Sequence, residues 1–194
     1  MSSPAFPPHL PLPELSPESL EFIRSHSELI PVKGNAVLVR PGKVCDRAFL
    51  VLQGGFVCRY IQPEQDVAKT INFYLEDLHP FMACVDSYFT QTPTECELRA
   101  IAPSIVLAMR KKDIDALLDK DAGLQRFYQE LVITALTEEN DLKLKIIAYR
   151  SEDLYRYIVR QFPAVIRRVP SKYIAELMGI SAEWLSKLKK QSAK

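Results

Sequence analysis

Two short amphipathic runs meet across a single glycine near the C-terminus, in SKYIAELMGISAEWLSKLKK, residues 171–190. No other stretch narrows the possible folds so far. The first run sets Ile174, Leu177 and Met178 at helical spacing; the second sets Leu185 and Leu188 on one face. Ser171, after Pro170, is placed to cap the first helix and Ser181 the second, because a side-chain oxygen can accept from the unpaired N–H groups of a first turn. Gly179 permits the positive φ of a sharp corner. Ile180 falls into the angle between the helices, and Ala175 is small where they approach. The pattern predicts a helix-turn-helix whose second helix reads DNA.

Charge is divided to match. Residues 151–194 hold nine Lys or Arg against four Asp or Glu, whereas residues 1–150 hold sixteen against twenty. The overall net of +1 therefore hides a basic end and an acidic remainder. A basic end suits phosphate, and an acidic remainder limits indiscriminate binding.

Residues 1–13 carry five prolines and read as an extended arm. They lack the basic start and apolar core of a secretory signal, and no run approaches the roughly eighteen apolar residues of a membrane-spanning helix, so a cytoplasmic location is expected. Ser16-Pro17-Glu18 opens a helix that ends near Ser27, with Leu20 and Ile23 inward. From Leu29 to Met109 short β-type runs alternate with turn signals such as Pro41-Gly42 and Gly54-Gly55, which predicts a small antiparallel barrel or roll. The segment from Glu76 to Thr92 breaks that texture, and DSYF within it suits a short helix. Helical spacing returns over Lys111–Leu118 and then runs unbroken from Asp121 to about Tyr149. A helix that long spans about 40 Å, more than a small β domain is wide, and a second copy of itself is the simplest partner. Ser151 is expected to cap a further helix with Leu154, Tyr157, Ile158 and Phe162 inward, stopped by Pro163. The fold class is α+β: an antiparallel jelly roll over 1–120, a dimerisation helix over 121–150, and a three-helix DNA-binding unit over 151–194 that leans on the long helix.

Chemistry of other kinds finds little support. Cys45, Cys58, Cys84 and Cys96 are widely spaced without a CxxC, so buried reduced thiols are expected in place of a zinc or iron–sulfur site. His9, His26 and His79 form no ligand pattern and lie outside the strand-like runs, against a metal-holding barrel enzyme or a haem site. No nucleophile elbow, phosphate-binding glycine loop or HExxH occurs. Neither an enzyme nor a cofactor is expected.

The order of roll, long helix and helix-turn-helix resembles the Crp/Fnr family of bacterial transcription regulators over nearly the whole chain. RPGKVCDRAFLVLQGGFVCRY is similar to the family's strand–turn–strand signature, and KYIAELMGIS resembles the branch common in Bacteroidetes. The family's reading helix often runs Ser-x-Glu-Thr-apolar-Ser/Gly-Arg; here Ser181-Ala182-Glu183-Trp184-Leu185-Ser186-Lys187 stands in its place. The resemblance implies a homodimer on a palindromic operator, recruiting or blocking RNA polymerase. Ser171, Lys172 and Tyr173 would then lie toward phosphate; Ser181, Ala182, Glu183, Ser186 and Lys187 toward base edges or phosphate; and Lys189 and Lys190 would add unspecific attraction. Trp184 suits either the core or the sugar–phosphate backbone. Ala182 and Lys187 replace planar arginine readers, which implies a different operator.

Family members that bind cyclic AMP hold it with a Gly-Glu and a later Arg-Ser. The corresponding place here has Phe73, Glu76, Pro93, Thr94 and Arg99. Glu76 matches the acid, but Pro93-Thr94 stands where the cation should be, and a buried phosphate cannot go unpaired. A roll that senses another effector, or none, is expected. The alternative function is a ligand-binding or interaction protein of the same fold that has lost specific DNA reading.

Overall fold

The computed structural model describes residues 15–62, 64 and 67–192. The proline-rich arm and His9 lie outside them. Helix α1 (Pro17–His26) starts as expected, with the Ser16 side chain accepting from the Ser19 N–H. Leu20, expected inward, is exposed, while Ile23 turns against Leu50 and Leu107.

Eight strands follow in two antiparallel sheets. One has the order β1 (Ser27–Val32), β8 (Ser104–Arg110), β3 (Arg47–Gln53), β6 (Phe81–Met82); the other β2 (Val37–Val39), β7 (Cys96–Ala100), β4 (Gly55–Gln62), β5 (Val67–Leu75). Seven of these strands correspond to the runs read from the sequence. β6 does not: two residues are too few for a periodic signal, and it exists because Phe49 and Leu50 of β3 offer it partners. The DSYF stretch lies in α2 (Val85–Thr90).

Side chains from both sheets fill the roll. Phe49, Val51, Phe56, Leu98, Val106 and Ala108 meet there with all four cysteines, each buried and free. β4 departs from simple alternation because Phe56 and Val57 are both fully buried. Phe56 faces the roll interior, whereas Val57, with Phe73 and Leu75, faces a second core built with the C-terminal helices.

Helix α3 (Lys111–Leu118) leads into α4 (Ala122–Ala148), which Asp121 caps by accepting from the Leu124 N–H. Among the described residues nothing buries any side chain of α4, and Ile133, Leu136, Leu144 and Ile147 stand exposed along it.

The C-terminal unit has four helices, not three: α5 (Ser151–Gln161), α6 (Pro163–Arg168), α7 (Ser171–Met178) and α8 (Ala182–Ser192). Pro163 ends α5 but also opens α6, where its missing N–H costs nothing. Ser151 and Ser171 are not caps; Arg150 and Pro170 hold those positions without side-chain bonds. Leu154 and Ile158 point inward as expected, but fully buried Tyr155 takes the place assigned to half-buried Tyr157. The unit leans chiefly on the outer face of β4 and β5. Its tie to α4 is lighter, through Ile146 and the Tyr157 hydroxyl, which donates to Asp141 at 2.7 Å.

Candidate nucleic-acid interface

Helices α7 and α8 meet at Gly179, whose φ of +66° turns the chain. The Ile180 N–H reaches back to the Ala175 carbonyl at 3.1 Å and closes the corner. Ser181 caps α8 as expected, accepting from the Trp184 N–H at 3.1 Å. Ile174, Ala175, Leu177, Met178, Leu185 and Leu188 are buried, so the inner sides of both helices are fixed.

The opposite side of α8 faces solvent. Ser181, Ala182, Glu183, Ser186, Lys187 and Lys190 are all exposed on it, and Lys189 is half-buried. The Lys189 ammonium donates to the Ser171 hydroxyl at 2.6 Å, joining the starts and ends of the two helices. Glu183 folds back on its own N–H and on the Ser181 hydroxyl, which holds its carboxyl below the ordinary value.

Tyr173, expected toward phosphate, and Trp184, expected in the core or along the sugar–phosphate backbone, both pack inward. Tyr173 is only 1% exposed and lies under the Arg59 guanidinium and the Lys172 ammonium, 5.5 and 4.6 Å from its ring centre. Its ring belongs to the core. Trp184 is half-buried; its indole N–H donates to Ser151 at 2.9 Å and Lys187 passes over its ring. It anchors α8 to the start of α5.

The C-terminal unit is held to the roll by polar pairs that no local pattern announces. Arg59 on β4 donates to Glu176 on α7 through Nε and Nη2 and to Glu97 on β7 through Nη1. Buried Thr70 adds a third bond to Glu176 at 2.7 Å. Arg168 on α6 donates to the Gly54 carbonyl and to Asp77, both at 2.8 Å, and pairs with Glu76 at 3.2 Å. These partners are dozens of residues apart, and only Arg59 and Glu97, on neighbouring strands, had any chance of being paired from the pattern.

The residues expected around a ligand do not converge. Phe73 lies in the core beneath the helices, Glu76 accepts from the Gly54 N–H and pairs with Arg168, and Pro93 bridges to Val44. Thr94 is buried and accepts from the Cys96 N–H. Arg99 grips both oxygens of Glu97 and the Asn35 carbonyl, on the helix-facing side of its sheet. An apolar groove of about 340 Å³ instead lies between α4 and the outer side of the roll, lined by Phe81, Tyr88, Phe127 and Leu131 among others.

The fold has clear precedents. FixK2 of Bradyrhizobium japonicum superposes with a TM-score of 0.71 at 11% identity, over 85% of this chain and 83% of its own. The c-di-GMP-responsive global regulator CLP of Xanthomonas campestris gives 0.67 at 16% identity over 92% of both chains. A chain of Eubacterium rectale assigned to the Crp/Fnr family gives 0.67 at 12% identity, over 91% of this chain and 83% of its own. The fold is that of the Crp/Fnr regulators. No protein-family model matches the chain, and no curated protein matches it. No described helix is long and apolar enough to cross a membrane.

Proposed function

We propose that the chain is a homodimeric DNA-binding transcription regulator. One observation carries the reading: α8 is locked by its apolar side and leaves Ser181, Ala182, Ser186, Lys187 and Lys190 exposed to solvent. A second helix of a helix-turn-helix is used in that way, lying in the major groove with its N-terminal residues at base edges. Lys172 at the start of α7 and Lys190 near the end of α8 supply phosphate contacts. The uncovered apolar residues of α4 take a second copy as partner, so the chain divides functionally into a roll (1–120), a dimer helix (121–150) and a DNA-binding unit (151–194). Two copies present their α8 helices about one turn of DNA apart, which calls for a palindromic operator. RNA polymerase is the partner through which such binding would alter transcription.

The roll is read as a sensor shell that does not take cyclic AMP. Its interior is filled with side chains, and Arg99, the cation nearest in sequence to Pro93-Thr94, is bound to Glu97. Selection of bound duplexes from a random library tests the function. Enrichment of a palindrome supports it, as does loss of preference in Lys187→Ala beside an even loss of affinity in Lys190→Ala. Absence of salt-dependent duplex binding would favour an interaction protein of the same fold.

A further inference from the structure

The four cysteines lie far apart in sequence, on the β2–β3 loop (Cys45), β4 (Cys58), the β6–α2 junction (Cys84) and β7 (Cys96), yet all meet inside the roll. Their exposures are 2, 3, 1 and 8%. Cys84 is the centre of the group: its N–H donates to the Cys45 sulfur at 3.4 Å, and its thiol lies within hydrogen-bonding reach of Cys45 and Cys58. Cys58 reaches Cys96 on its other side. Among the described residues no three such groups converge as a metal ion requires. What the arrangement offers is pairs.

The pairs differ. In the β4–β7 ladder Cys58 opposes Leu98 and Tyr60 opposes Cys96, so the two cysteines sit diagonally. Diagonal neighbours are about 7–8 Å apart, beyond the usual disulfide span of about 4.4–6.8 Å between Cα atoms, and central strands cannot close the gap. Cys45 and Cys84 lie outside the ladders, and the Cys84 N–H already rests on the Cys45 sulfur. We propose that Cys45 and Cys84 form a reversible dithiol–disulfide pair, oxidised by hydrogen peroxide, at the root of α2.

Hydrogen bonds from Cys45 and Cys58 hold the Cys84 thiol below its ordinary value, while Cys45 is pushed up. Cys84 therefore ionises first. Its thiolate attacks one peroxide oxygen, the O–O bond breaks, and the departing hydroxide takes a proton to leave as water. The Cys45 thiol then attacks the sulfenic sulfur of Cys84 and gives up its proton to the departing hydroxide; the S–O bond breaks, and a second water leaves. Two thiols and one peroxide give one disulfide and two waters. The pair is buried, so attack waits on opening of α2, a six-residue helix without a side-chain N-cap. Closing the bond at Cys84 bears directly on Val85, Tyr88 and Phe89, which line the apolar groove against α4.

The test is peroxide treatment of the reduced full chain, with thiol counting and non-reducing peptide mapping. Two of the four thiols should be lost to one Cys45–Cys84 link that dithiothreitol reverses. Cys84→Ser should abolish the link, and Cys96→Ser should leave it. Should a variant fail to fold, the wild-type map alone decides. A link between another pair, four thiols surviving excess peroxide, irreversible oxidation alone, or a metal ion bound by these thiols in the purified protein would each overturn the proposal.

Discussion

Arg59 and Glu176 lie 117 residues apart and share two hydrogen bonds of 3.0 Å, side on, between an inner strand of one sheet and the first helix of the proposed DNA-reading pair. Their side chains are only 15% and 23% exposed. Burial opposes the Arg59 charge, but bonding to Glu176 and Glu97 outweighs it and raises the guanidinium's pKa further. The pair therefore fixes how α7 sits on the roll.

Glu176→Ala removes that bidentate partner and leaves the Thr70 hydroxyl buried without its acceptor. Loss of Glu176 leaves the largely buried Arg59 charge with Glu97 as its remaining partner, and the expected cost is about 2 kcal/mol, less than for a buried charge stripped of every partner. Urea denaturation measures it. A cost below about 0.5 kcal/mol would mean that the network behaves as a solvated surface pair.

The same network sets an acid limit. Burial raises the Glu97 pKa, but hydrogen bonds from Arg99 and Arg59 outweigh it and hold the carboxyl below its ordinary value. A depressed folded-state pKa contributes stability above the unfolded value, and that stability is lost as pH falls through the folded one. Melting temperature should therefore drop more steeply below pH 4.5, the ordinary glutamate value, in the wild type than in Glu97→Gln. Parallel curves would contradict the assignment.

Trp184→Phe keeps the ring but deletes the indole N–H that reaches Ser151. About 1 kcal/mol of stability should go with the bond. DNA affinity at constant folded fraction should stay within twofold by gel shift, because the ring is an anchor. A large affinity loss with unchanged stability would make Trp184 a DNA contact.

Gly54 carries φ +88°, and a Cβ there would lie 2.8 Å from the Pro103 carbonyl and press on Ser104. Its N–H donates to Glu76 and its carbonyl accepts from Arg168. Gly54→Ala combines left-handed strain with a backbone clash, so a loss of about 2 kcal/mol or more is expected in the same denaturation assay. Gly42→Ala is a control: φ is +78° but the space is open, so only the strain remains.

Ile133 and Leu136 stand 63% and 67% exposed on α4. If a second copy covers them, Ile133→Glu with Leu136→Glu places charge in that interface and should shift sedimentation from dimer to monomer at micromolar concentration. An unchanged profile would place the partner surface elsewhere.

Local rules determined much of this protein. The Ser16 and Ser181 caps, the Gly179 corner, the bounds of α3 and α4 and seven of the strands follow from propensities and periodicities that act within a few residues. The inner face of α8 follows too, since Leu185 and Leu188 announce it by spacing. Where sequence reading went astray, a distant partner had intervened. Ser151 serves the Trp184 indole and Ser171 the Lys189 ammonium, neither of them a helix N-terminus. Tyr173 is drawn into the core because α7 lies on β5, and Arg99 lies on the helix-facing side because its strand neighbour Leu98 fills the roll interior. The meeting of four scattered cysteines depends on the pairing of sheets and loops around them. A linear pattern records which side chains share a face of one element. Which faces then meet is settled only when the whole chain competes to bury them, and there tertiary structure alone decides.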